Sequence, residues 1–273
     1  IEGDLDTIRL SSAARGGDGP PSLRDVVSSR VGALGRDTSA VLAAGAVLGV
    51  EFDEGVLRAL VDLDDSIVDG AMDAAFASGL LVSIEPATRT MRFAHALVAD
   101  ALYAELQPLQ RRRIHERAAH VLGERADEPT QKTVVQLARH CELGGLLPDA
   151  MRWATVAGDH ALAHLAPSEA ATWYRAALDH CAVLERPDSE RADLVVRLGA
   201  ALHRAGDPSA YPTLQEGADL AQRCGAQAVL MRAALATDRG FMQVGTFAPQ
   251  QLAIAEAAVA VADPDDVTMY TRL

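Results

Sequence analysis

Histidines and cysteines are the side chains of this 273-residue sequence best suited to metal or acid–base chemistry. His115 and His120 could be joined as metal ligands by His140 or Cys141. His160 and His164 stand one helical turn apart, which presents both imidazoles on one face in the way zinc accepts. The residues between that pair are Ala161-Leu162-Ala163, so the H-E-x-x-H pattern that adds a catalytic carboxylate is missing. Solvated or interhelical histidines are therefore expected, with no metal. Cys141, Cys181 and Cys224 lie far apart with no C-x-x-C spacing, which points to a reducing, cytoplasmic setting. Asp64-Asp65 and Asp265-Asp266 fall at helix starts or in loops, where acids complement the helix dipole rather than form a catalytic pair. No G-x-S-x-G nucleophile elbow occurs.

Lysine chemistry is nearly excluded. Among the 25 basic side chains only Lys132 is lysine, and the other 24 are arginine. A phosphate-binding P-loop needs G-x-x-x-x-G-K-[S/T], whereas Lys132 sits in Pro129-Thr130-Gln131-Lys132-Thr133 with no glycine pair before it. This stretch has no Walker A site of its own, and no enzymatic activity or bound cofactor is expected of it.

The elements that must position these residues are mostly helical. Ala and Leu are the commonest residues, and only 4% of residues are aromatic against 49% hydrophobic, a balance suited to helices packed closely through alanine. No apolar run reaches the roughly 18–20 residues of a membrane span. The start at Ile1 without Met and the end at Leu273 suggest a piece of a longer protein.

Gly16-Gly17-Asp18-Gly19-Pro20-Pro21 reads as the end of a linker over residues 1–21. Helical spacing then predicts helices over about 22–35, 37–48, 53–61 and 64–79. Leu80-Leu81-Val82-Ser83-Ile84, a turn at Pro86-Ala87-Thr88-Arg89, and Thr90-Met91-Arg92-Phe93 give the one hairpin signal, followed by a helix from His95 to Leu106. Helices around one small β-hairpin make a winged-helix pattern over 22–107. Only helical periods follow, near 108–125, 131–142, 148–164, 167–184, 189–205, 212–223, 226–238 and 248–262, and they predict a tetratricopeptide-like α-solenoid over 108–273. Gly158, Ala170, Tyr174 and Ala177 match the small–Ala–aromatic–Ala offsets of that repeat, and Ala138, Ala150, Ala154 and Ala157 match without the aromatic. Gly199 opens a third, looser unit. The fold class is thus mainly α.

The segment Met91-Arg92-Phe93-Ala94-His95-Ala96-Leu97-Val98-Ala99-Asp100-Ala101-Leu102-Tyr103 carries more information, together with Arg111-Arg112-Arg113-Ile114-His115-Glu116-Arg117, residues 20–30 and Ala44-Gly45-Ala46-Val47-Leu48-Gly49-Val50-Glu51-Phe52-Asp53. It resembles the region after the ATPase core in bacterial STAND-type signal-transduction ATPases, such as large LuxR-family regulators and ATPases fused to nucleotide cyclases. The resemblance covers most of residues 20–185. It implies an upstream P-loop ATPase domain in the same parent protein, binding ATP or ADP, then a winged helix, then a superhelical sensor. In such ATPases a winged-helix histidine touches the ADP β-phosphate, and His95 matches that position. Ala94 and Ala96 flank it, so the Met-His-Asp version of the motif is not reproduced.

Arg111-Arg112-Arg113 with Arg117 forms the one basic cluster, which makes a DNA-binding winged helix with a dimerising repeat tail the alternative reading. Residues 22–126 hold 11 arginines and 15 acidic residues, a net of −4, and phosphate binding wants a basic face. The arginines are instead expected to pair with Glu105, Glu116 or the wing. The reading carried forward is a non-catalytic sensor and coupling segment of a transcription-regulating ATPase. Its repeats would bind an effector, a protein partner or another copy of the chain.

Overall fold

A computed structural model describes residues 23–85, 89–125, 129–237 and 249–262. The expected linker over 1–21, the turn residues Pro86 to Thr88 and the pair Asp265-Asp266 lie outside them. The fold is mainly α, with one small sheet.

The first part runs α1 (Leu23–Gly32), α2 (Arg36–Leu48), β1 (Glu51–Asp53), α3 (Glu54–Leu60), α4 (Asp65–Ala77), β2 (Leu81–Glu85), β3 (Thr90–Phe93) and α5 (Ala96–Glu105). Instead of the two-stranded hairpin expected from sequence, the sheet has three antiparallel strands in the order β1-β3-β2, with Phe52 opposite Met91 and Val82 opposite Arg92. The added strand is three residues long, too short for alternation to announce it. Its middle residue Phe52 is buried between exposed Glu51 and Asp53, and its ring lies 5.5 Å from that of Phe93. Burying two aromatic rings in contact supplies the energy that holds so short a strand. Asp53 ends the strand and caps α3, its carboxylate accepting from the Val56 amide at 2.8 Å.

The second part is a linear array: α6 (Pro108–Glu124), α7 (Gln131–Gly144), α8 (Leu147–Ala163), α9 (Pro167–Val183), α10 (Asp188–Ala205), α11 (Ala210–Arg223), α12 (Gln227–Ala236) and α13 (Pro249–Val259). Each helix packs mainly on its sequence neighbours, and most of the connections are too short for anything but antiparallel pairing. Starts and stops follow local chemistry. Gln107 and Gln110 form a capping box on α6, Thr130 caps α7, and proline opens α6 and α9. Gly145 and Gly206 close α7 and α10 with left-handed φ of 76° and 73°, a conformation in which a Cβ is penalised.

The repeat offsets pick out the buried line of the array. Ala138, Ala150, Ala154, Ala157, Ala170, Tyr174 and Ala177 are all buried. At Gly158 a Cβ would fall 2.5 Å from Cε1 of Tyr174, so the helix crossing depends on that residue having none. The core of the first part does not stop at residue 107, since Ala118 and Leu122 of α6 and Leu137 of α7 belong to it. Among the described residues, no helix is long and apolar enough to cross a membrane.

Candidate functional site

His95 stands where β3 hands over to α5. The Phe93 amide donates to Val50 O and the Ala94 amide to Leu80 O, both at 2.9 Å, so the chain entering His95 is pinned from two sides. His95 itself is the N-cap in extended backbone (φ −138°, ψ 135°), and its carbonyl accepts from the Val98 amide. Its imidazole is exposed and makes no capping bond. Val98, Ala99, Ala101 and Leu102 anchor α5 in the core, while Leu97 and Asp100 face outward. An exposed imidazole beside the amides of a helix start fits an anionic phosphate group, because both offer donors to it.

The other end of α5 reaches a buried polar chain. Tyr103 Oη lies 3.0 Å from Nε2 of His115 on α6, and His115 Nδ1 lies 2.8 Å from Nδ1 of His140 on α7. Both imidazoles are almost wholly inaccessible, at 1% and 2% exposure. Burial, then the charges of Arg139 and Arg111, pushes His115 down to about 4. Burial, then His115 and Arg139, pushes His140 down to about 3. The pair is therefore neutral near pH 7, and one ring donates its single Nδ1 proton to the other. The sequence grouped His115 with His140 as possible metal ligands or interhelical histidines, and the structure joins them by a direct imidazole–imidazole hydrogen bond.

The remaining ligand candidates separate. His120 is exposed and, with Cys141, lines a cleft of about 370 Å³ between α6, α7 and α8, beside Trp153 and Leu146. Burial pushes the Cys141 thiol up to about 11, so it is not a thiolate nucleophile. His164 Nδ1 donates to the His160 carbonyl at 2.8 Å. Among the described residues no three His, Cys, Asp or Glu side chains are placed to hold a metal ion. Asp64 is the N-cap of α4, and Arg58 reaches Asp65 at 3.5 Å and Asp69 at 2.5 Å. Lys132 is exposed in the first turn of α7.

The arginine cluster does not pair as expected. Arg111 donates to Ala104 O at 2.6 Å and stacks on the Tyr103 ring, and Arg112 donates to Gly144 O at 3.2 Å. Arg113 and Arg117 are exposed, and among the described residues neither forms an ion pair.

Alternate helices of the array share a face. Asp159 of α8, Arg197 and Asp193 of α10, and Arg232 of α12 form a continuous ion-pair ladder across it. The Tyr174 hydroxyl donates to Asp159 at 2.7 Å beneath the ladder. Two further clefts open on α8: one of about 420 Å³, mostly apolar, between Met151, Val156 and Leu184, and one of about 350 Å³ between Met151, Leu194 and Val229.

No family model matches this chain, and no solved structure matches it. It is 28% identical over 197 residues to an uncharacterized protein of Rhizobium meliloti (strain 1021), an alignment covering 71% of this chain and 19% of that protein. The chain thus spans about a fifth of the length of that relative.

Proposed function

We propose that this chain is the non-catalytic sensing and coupling segment of a cytoplasmic signal-transduction ATPase of the STAND type, with residues 22–107 as a winged helix and the array as tetratricopeptide-like repeats. The observation that carries the reading is the course of α5. This helix of 10 residues, about 15 Å long, has His95 at one end and Tyr103, bonded to His115, near the other. A phosphate group met by His95 shifts α5 as a rigid rod. Tyr103, His115 and His140 then pass that shift to the first two helices of the array.

In this reading His95 contacts the terminal phosphate of ADP held mainly by an upstream ATPase domain. This chain supplies the contact and the linkage, and the ATPase domain supplies hydrolysis. The array, with its clefts on α8, takes a protein partner or effector. The test is nucleotide occupancy in a protein that carries this chain behind its ATPase core, compared with the His95→Ala variant. Loss of bound ADP and a changed oligomeric state support the reading, and unchanged values for both contradict it.

A further inference from the structure

The wider cleft on α8, of about 420 Å³, is lined by Met151, Thr155 and Val156 of that helix and by Leu184 just past α9, with Arg152 and Arg186 as its charged residues. Met151 packs on a core that is mostly small, Ala154, Ala177 and Cys181 beside Leu194, and short side chains leave space at a helix crossing that longer ones would fill. The cleft of about 350 Å³ adjoins it, sharing Met151 and Thr155 and running past Leu194 to Val229. Volumes of this order suit small molecules. The polar groups of the wider cleft are already engaged. Nε and Nη2 of Arg186 donate to the two carboxylate oxygens of Glu190 at 2.9 and 2.7 Å. Arg152 pairs with Asp149 at 3.6 Å and lies 4.5 Å from the centre of the Trp153 ring. The Thr155 hydroxyl donates to the Met151 carbonyl at 2.9 Å, which leaves its oxygen only as an acceptor. In the adjoining cleft Asp193 is held by Arg197 and Arg232.

We infer that this cleft binds an uncharged, mainly hydrocarbon small molecule as the effector of the array. Met151, Val156 and Leu184 cover its chain, and the unbranched Met151 adapts to its shape. A hydroxyl on the ligand donates to Thr155 Oγ1. A charged ligand either breaks one of the existing pairs or stands unpaired against the apolar wall, and both are unfavourable. An extended peptide fits less well, because the backbone of α8 is bonded within its own helix and offers no partners to the peptide's N–H and C=O groups. The inference rests on the reading of the α8 clefts as an effector site and names the class of effector.

The test is displacement of phenylnaphthylamine, an uncharged apolar fluorophore, from the intact chain by decanol, decanoate and decylammonium, which share a hydrocarbon chain and differ in charge. The fluorophore is expected to bind, and decanol to displace it at concentrations about tenfold or more below those of the two ions. Val156→Phe fills the cleft and Leu184→Gln makes the opposite wall polar, and each is expected to weaken the fluorophore about tenfold or more. Both positions are half-buried, so thermal unfolding is recorded beside each variant, while the displacement series on the wild-type chain depends on neither. Absence of fluorophore binding, or binding that both folded variants leave unchanged, overturns the site. Stronger displacement by decanoate or decylammonium overturns the uncharged class, and stronger displacement by a synthetic Leu/Ala helix than by decanol overturns it in favour of a protein partner. Each of these outcomes leaves the nucleotide occupancy of His95→Ala untouched, so failure of this inference is distinguishable from failure of the coupling role.

Discussion

His115 and His140 face each other through their Nδ1 atoms at 2.8 Å across the packed surfaces of α6 and α7. Only one proton can occupy that line, so the contact exists while at least one ring is neutral there. Arg139 and Arg111 bear on His115, Arg139 also on His140, and the Tyr103 hydroxyl faces His115 from α5. Among the described residues, the charges that bear on the pair are those of arginines, with no carboxylate to offset a second positive charge.

Acid lability follows, with a fixed sign. Both imidazoles titrate near 6.5 in the unfolded chain and near 4 and 3 when folded. Below about pH 6.5 the unfolded state binds protons that the native state refuses. Stability is therefore full above that pH and falls as pH drops towards 4. Each imidazole that stays neutral at pH 5 costs about 2 kcal/mol relative to pH 7. Urea midpoints from pH 7.5 to 4.5 are expected to fall, and His140→Gln is expected to flatten the dependence. An unchanged slope in that variant contradicts the assignment to this pair.

Gly158→Ala is expected to destabilise the array, against the usual gain of about 1 kcal/mol for replacing a helical glycine. The new methyl would stand 2.5 Å from the Tyr174 ring. Overpacking of this kind costs about 1–3 kcal/mol. Thermal unfolding decides between the two signs.

Phe52→Ala is expected to cost about 3–5 kcal/mol and to release β1 from the sheet. The ring is 4% exposed and packs against Phe93. Amide exchange at Glu51 to Asp53 and at their β3 partners should accelerate. If only global stability falls, the strand does not depend on this ring.

Arg232→Ala removes the outer rung of the ladder, where the guanidinium pairs with Asp193 and is 47% exposed. Exposed ion pairs contribute about 0–1 kcal/mol. Calorimetry should therefore show little change, while cleavage of α12 by protease at low salt should rise modestly.

Much of the helical architecture was legible because alanine, leucine and glycine repeat with helical period from α2 to α12, and because local caps such as Asp53 and Thr130 mark the starts. Strand β1 was not legible, since its evidence is one phenylalanine between two acids and its partner lies about 40 residues away. The buried pair was half legible. His115 and His140 were named, but the geometry that joins them depends on the relative rotation of two helices. That rotation is set by core packing and not by local pattern. Likewise the arginines of α6 were expected to find Glu105 or Glu116. Arg111 and Arg112 instead satisfy backbone carbonyls at helix ends, an outlet that charge counting does not consider.

The central claim is that α5 transmits the state of a phosphate at His95 to the helical array. It is tested most directly by measuring bound ADP and oligomeric state together in the full-length protein, in wild type and in His95→Ala. The account predicts that the variant loses ADP and shifts its oligomeric state in the same preparation. Retention of ADP with an unaltered oligomeric state would contradict it.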